Sequence, residues 1–120
     1  MKKKILVAED DKVIARLLLM ELAEAGFDTV HAKDGASALE MLSTQKFDGL
    51  LSDLFMPNMD GLQLVDATLG MSLNIPIVVL SGSINSDIET QLMKKGIKHI
   101  FLKPMKDEQY EQLFSIFRFD

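Results

Sequence analysis

Short apolar runs alternate with longer stretches of helical period along the whole chain, and this alternation governs what it can fold into. Ile5-Leu6-Val7-Ala8 is apolar at four successive positions. A strand of that kind must be covered on both faces, as central strands of parallel sheets are. Ile14, Leu17, Leu18, Leu22 and Ala25 then recur at helical spacing, and Gly26 supplies a stop. A second strand is expected around Thr29 to Ala32. Asp34 caps a helix that buries Ala38, Leu39 and Leu42, and a third strand, Gly49-Leu50-Leu51-Ser52, ends at Asp53. A loop with Pro57 and Asn58 leads to Asp60, the cap of a helix carrying Leu62, Leu64 and Val65. Pro76 opens the strand Ile77-Val78-Val79-Leu80. Ser86 and Glu89 have capping-box spacing for a fourth helix, which Gly96 ends. The fifth strand covers about Lys98 to Leu102. Last comes a helix whose stripe is Tyr110, Leu113, Phe114 and Phe117, with Ile116 and Phe119 continuing it as exposed apolar positions open to a partner or dimer contact. Five β/α units of this kind predict an α/β chain with a parallel sheet.

One domain, residues 1–120, accommodates all five units. The 120 residues are 48% hydrophobic, enough for one packed core. A net charge of −5 argues against direct nucleic-acid binding, which requires clustered Lys and Arg. The one basic run, Lys2-Lys3-Lys4, reads as a solvated lead-in to the first strand. There is no cysteine, so disulfides and thiolate metal sites are ruled out. No apolar run approaches the roughly 20 residues of a membrane span, and the expectation is a soluble, cytoplasmic domain.

The polar residues fall where chemistry is expected. Glu9, Asp10 and Asp11 follow strand one, Asp53 ends strand three, Ser81 follows strand four and Lys103 follows strand five. In an open parallel sheet those strand ends share one edge, and ligands bind in the crevice there. Carboxylates gathered without thiol or imidazole suit a hard cation such as Mg²⁺. The cation relieves their mutual repulsion and holds a phosphate, leaving one carboxylate free to attack phosphorus. Lys103 then serves as counter-charge and Ser81 as hydrogen-bond donor. On these grounds alone the chemistry is Mg²⁺-dependent phosphoryl transfer to a carboxylate, with the choice among the carboxylates open.

The elements ILVAEDD, LLSDLFMPNMDG, VVLSGS and FLKP, in this order and spacing, resemble the receiver domain of bacterial response regulators. The resemblance spans nearly the whole chain. It implies a flavodoxin-like doubly wound sheet of five parallel strands in the order 2-1-3-4-5, with helices on both faces. It also implies that Asp53 is the phosphoacceptor. Asp10 would bind Mg²⁺ (or Mn²⁺) directly, Glu9 directly or through water, and the Phe55 backbone carbonyl would be a further ligand beside Asp53. Ser81 falls on the switch hydroxyl and Lys103 on the lysine that meets the phosphoryl group, with a cis Lys103-Pro104 bond. The implied donor is a sensor histidine kinase or histidine phosphotransfer protein. The implied output is a protein effector or fused domain reached through the face of the fourth helix, fifth strand and fifth helix, which is also a dimerisation face once phosphorylated. Such a receiver catalyses its own phosphorylation and dephosphorylation but has no separate turnover substrate.

Two positions depart from the family pattern. Ile100 stands where an aromatic switch residue is common, and Phe101 beside it should face the other side of the strand. Gly82 replaces the more usual Ala. Phe55 and Ser83 occupy the positions that influence how long the phosphoryl group survives, and a bulky Phe55 restricts the attacking water.

Plainer readings exist for several residues. Asp11 and Asp60 read as helix caps rather than ligands. His31 and His99 lack a second ligand at metal spacing and read as surface or satisfied histidines. The eight methionines read as soft packing. Among other functions, a haloacid-dehalogenase-type phosphatase would place a second Asp where Phe55 stands. A flavin carrier would need a phosphate cradle where Glu9-Asp10-Asp11 stands. A degenerate receiver used only for docking would not need the full set of site residues. The sequence leaves open whether the receiver stands alone or belongs to a larger regulator or hybrid kinase.

Overall fold

A computed structural model describes residues 2–56, 58–83 and 85–119. Pro57 of the expected third loop lies outside the described residues. Ten elements alternate: β1 (Lys4–Ala8), α1 (Lys12–Glu24), β2 (Asp28–Ala32), α2 (Gly35–Thr44), β3 (Gly49–Asp53), α3 (Gly61–Gly70), β4 (Ile77–Ser81), α4 (Ser86–Lys94), β5 (His99–Leu102) and α5 (Asp107–Phe119). The strands form one parallel sheet in the order β2-β1-β3-β4-β5, the expected topology.

Alternation along each strand divides the core into two layers. Leu6, Ala8, Leu50, Ile77 and Val79 face a cluster with Ala38 and Leu42 of α2, Leu64 and Val65 of α3 and Leu92 of α4. Ile5, Val7, Leu51, Val78 and Leu80 face the other way, onto Leu18 and Leu22 of α1 and Leu113, Phe114 and Phe117 of α5. This is why β1, β3 and β4 contain unbroken apolar runs. Ile100 packs against the first cluster and Phe101 belongs to the second, so the two do lie on opposite faces of β5.

Capping sets the helix starts. Asp11 accepts from the Val13 and Ile14 amides, Asp34 from Ser37, and Asp60 forms a capping box with Gln63. At α4 the structure differs from expectation. Asn85 is the cap, accepting from the Ile88 amide at 2.9 Å, and Ser86 is already helical. Two capping residue types stand side by side there, and the sequence does not rank them. Gly26 and Gly96 follow α1 and α4 at φ 97° and 90°, the left-handed conformation that stops a helix.

Three further expectations are corrected. Leu17 is 48% exposed, because the sheet-facing stripe of α1 runs through Ala15, Leu18 and Leu22. Ile116 is buried in the α5 layer, leaving Phe119 as the exposed apolar residue. The basic run is not merely solvated. Lys3 Nζ donates to the Phe117 and Arg118 carbonyls at 2.9 and 2.7 Å, satisfying the negative end of α5. Lys4 Nζ lies 4.8 Å over the Phe47 ring. Among the described residues, no helix is long and apolar enough to cross a membrane.

Candidate metal and phosphoryl site

The C-terminal ends of β1, β3, β4 and β5 bring Glu9, Asp10, Asp53, Ser81 and Lys103 to one edge of the sheet. Parallel registers fix the depth: Ala8 pairs with Ser52, Asp53 with Leu80, and Ser81 with Leu102. Each functional side chain thus emerges within a residue of the same level.

Glu9, Asp10 and Asp53 each offer a carboxylate oxygen, and these three oxygens lie within 4.8 Å of one another. Glu9 and Asp53 are buried, whereas Asp10 is exposed. Lys103 Nζ bridges the buried pair, 2.6 Å from Glu9 Oε1 and 3.0 Å from Asp53 Oδ2. Asp53 Oδ1 accepts the Leu54 amide N–H at 2.8 Å. The Lys103 ammonium is the cationic partner of the buried Glu9 Oε1.

These surroundings set the charge states. Burial pushes the Glu9 carboxyl up to about 7; Asp53 adds to the rise, while Lys103 and the Asp11 amide oppose it. Burial works against the Lys103 ammonium, but Glu9 and Asp53 outweigh it and hold its pKa above the ordinary lysine value. Three carboxylates gathered around one ammonium leave negative charge uncompensated, and a further cation would relieve it. Such an all-oxygen set fits a hard divalent ion.

Ser81 is wholly buried, and its hydroxyl is engaged by its own loop. It donates to the Ser83 carbonyl at 3.0 Å and accepts the Ser83 amide at 3.3 Å. Phe55, two residues beyond Asp53, carries a ring that is 55% exposed. The Lys103-Pro104 bond is cis, as the resemblance implied. Asp11 and Asp60 serve as caps.

Three neighbours of the site escaped the sequence reading. His31 Nε2 lies 2.7 Å from the Glu9 carbonyl oxygen, so this histidine is satisfied against the acidic loop itself. Asn58 donates to Asp34 Oδ2 at 2.8 Å. Gly61 approaches the β3 end so closely that a Cβ would stand 2.5 Å from the Asp53 carbonyl oxygen. The signal for the last was present in the Asp60-Gly61 pair; nothing in the sequence alone pairs Asn58 with Asp34.

Comparison with known proteins agrees with this geometry. The family described as response regulator receiver domain matches residues 5–115. The chain is 34% identical over 105 residues to the Regulator of RpoS of Escherichia coli K12, covering 88% of this chain and 31% of that protein. It is 30% identical over 113 residues to the sensor histidine kinase RcsC of Escherichia coli, covering 94% of this chain and 12% of that one. It thus spans under a third of the length of these curated relatives. The structure of the Francisella response regulator 1452 receiver domain superposes with a TM-score of 0.88 at 30% identity, covering 98% of both chains. The acidic cluster at the sheet edge, the strand order and the match over residues 5–115 lead to one conclusion: this chain belongs to the response regulator receiver domains of two-component signalling systems.

Proposed function

We propose that this receiver accepts a phosphoryl group on Asp53 from a phosphohistidine of a sensor kinase or phosphotransfer protein, with Mg²⁺ or Mn²⁺ at Glu9, Asp10, Asp53 and the Phe55 carbonyl. The observation that carries this reading is the cluster of Glu9, Asp10 and Asp53 oxygens within 4.8 Å of one another, with the Lys103 ammonium held between Glu9 and Asp53. A carboxylate oxygen of Asp53 attacks phosphorus, and the P–N bond breaks. The departing imidazole keeps the electron pair and takes up a proton. When bound, the divalent ion neutralises phosphoryl oxygens and the crowded carboxylates. Lys103 moves from a carboxylate partner to a phosphoryl partner, a charge-assisted contact at either stage. Ser81 exchanges its bond to the Ser83 carbonyl for one to a phosphoryl oxygen. In the reverse sense, water attacks phosphorus, the P–O bond to Asp53 breaks, and inorganic phosphate leaves. Asp53 is regenerated, so the chain turns over its own phosphorylation and no separate substrate.

The output passes through the face of α4, β5 and α5, where Met93 and Leu102 are 62% and 53% exposed. That face meets a protein effector or fused domain, or a second receiver. With Ile100 rather than an aromatic ring on the β5 side facing α4, the switch acts through the Ser81–Ser83 loop. Intact mass after incubation with acetyl phosphate and Mg²⁺ tests the reading. One added phosphoryl group, lost without metal, is expected; an unchanged mass with acetyl phosphate and with a panel of phosphorylated kinases would leave only a docking role.

A further inference from the structure

We propose that the β2–α2 junction, His31 to Gly35, is a brace that fixes both loops facing the metal site, with Asp34 and Asn58 as its positioning pair. On one side the junction grips the acidic loop. The Glu9 amide donates to the Ala32 carbonyl at 3.1 Å, and His31 Nε2 meets the Glu9 carbonyl at 2.7 Å. On the other side it grips the loop that follows Asp53. Asn58 donates to Asp34 Oδ2 at 2.8 Å, and a Cβ on Gly35 would stand 2.1 Å from the Met59 carbonyl oxygen. These contacts tie β1–α1 and β3–α3, the loops of Glu9, Asp10 and Phe55, to one rigid corner.

The pair is built for positioning. Asp34 is only 5% exposed, and both of its oxygens are used, Oδ1 by the Ser37 amide at 2.7 Å and Oδ2 by Asn58. Those two donors hold its carboxyl below the ordinary range, so Asn58 donates to a charged acceptor, the stronger kind of hydrogen bond. Asn58 itself sits at φ 69°, a left-handed conformation that asparagine accepts more readily than most residues, so one residue type serves both the turn and the bond. Outer partners that orient metal ligands contribute substantially to affinity although they never touch the ion.

This inference rests on the metal-dependent phosphoacceptor reading, and the test separates the two. Asp34→Asn keeps the cap but leaves only a neutral amide–amide bond, made when Asn58 turns its Oδ1 toward the new amide, whereas Asn58→Asp sets two carboxylates against each other. The double variant D34N/N58D restores one donor and one acceptor with the capping oxygen kept and the net charge unchanged. Asn58→Gly tolerates the left-handed backbone and removes the whole side chain, so its thermal unfolding is read beside its Mg²⁺ requirement. Mg²⁺ binding to each protein is followed by amide chemical shifts, alongside the Mg²⁺ concentration for half-maximal acetyl phosphate labelling and thermal unfolding. Asn58→Asp should need roughly tenfold more Mg²⁺ in both assays, Asp34→Asn should fall between it and the wild type, and D34N/N58D should return to the wild-type value. A folded Asn58→Asp with a wild-type Mg²⁺ requirement, or a double variant as weak as Asn58→Asp, would overturn the brace. Should Asn58→Asp fail to fold, Asn58→Gly decides by the same criterion. If wild type binds Mg²⁺ with this dependence but is never labelled, the phosphoacceptor reading fails and the brace stands.

Discussion

Glu9 concentrates the physics of the site in one residue. Its carboxyl is pushed from 4.5 to about 7 by burial, next to a second buried carboxylate. A carboxyl whose pKa is higher folded than unfolded stabilises the fold in its protonated form. That contribution is complete below the unfolded value near 4.5 and is lost as pH rises through about 7. Lys103, with its raised pKa, stays charged throughout this window. The metal-free protein should therefore lose stability between pH 5 and 8 by up to about 3 kcal/mol from this group. Glu9→Gln should flatten that part of the curve and make the metal-free protein more stable at pH 8, as measured by urea unfolding. Equal slopes for the two proteins would contradict the assignment. Phe55 poses a kinetic question at the same scale. Its half-exposed ring stands at the edge of the site, and Phe55→Asn should shorten the phosphoryl lifetime several-fold by admitting water, read as the decay of the phosphorylated mass. Glu9, Asp53, Ser81 and Lys103 are legible in the sequence because each lies at the C-terminal end of a strand or one residue past it. Asp34–Asn58 was not legible, because a side-chain pair across two loops leaves no periodic trace.

Elements were legible where hydrophobic period and cap chemistry agreed. β1, β3 and β4 are apolar on both faces because helices cover both, and Asp11, Asp34 and Asp60 cap where expected. The reading slipped where neighbouring residues compete for one role, as with Asn85 and Ser86, or where a stripe edge is ambiguous, as with Leu17. Close approach between elements is only hinted at by a glycine beside a cap, as at Asp60-Gly61, because the residue does not name what lies against it. At Gly61 the obstacle is backbone, with the Asp53 carbonyl oxygen 2.5 Å from a built Cβ, and neither side can yield cheaply. Gly61→Ala should cost about 1–3 kcal/mol and move the end of β3. Gly70, at the end of α3, has nothing within 4 Å of its Cβ position. Gly70→Ala should be neutral or stabilising by up to about 1 kcal/mol. Thermal unfolding of the two variants side by side gives the comparison, and equal shifts would remove the close-approach argument.

For the molecule as a whole, the sheet is a device for bringing distant segments to one edge. Glu9 and Lys103 are far apart in the chain yet 2.6 Å apart in space, because β1 and β5 end on the same side of a five-stranded parallel sheet. The same architecture places the Ser81 loop in the chain between β4 and α4, so under the proposed phosphorylation a new charge at Asp53 would act on an element joined directly to α4. With Asp53 proposed as the phosphoacceptor, borohydride trapping identifies the modified residue. The phosphorylated protein is reduced so that its acyl phosphate becomes an alcohol, and peptide mass spectrometry then locates the modified residue. Homoserine is expected at position 53 alone, with no trapped product in Asp53→Ala. Trapping at Glu9 or Asp10 in the wild-type protein, or an undiminished product in Asp53→Ala, would contradict it.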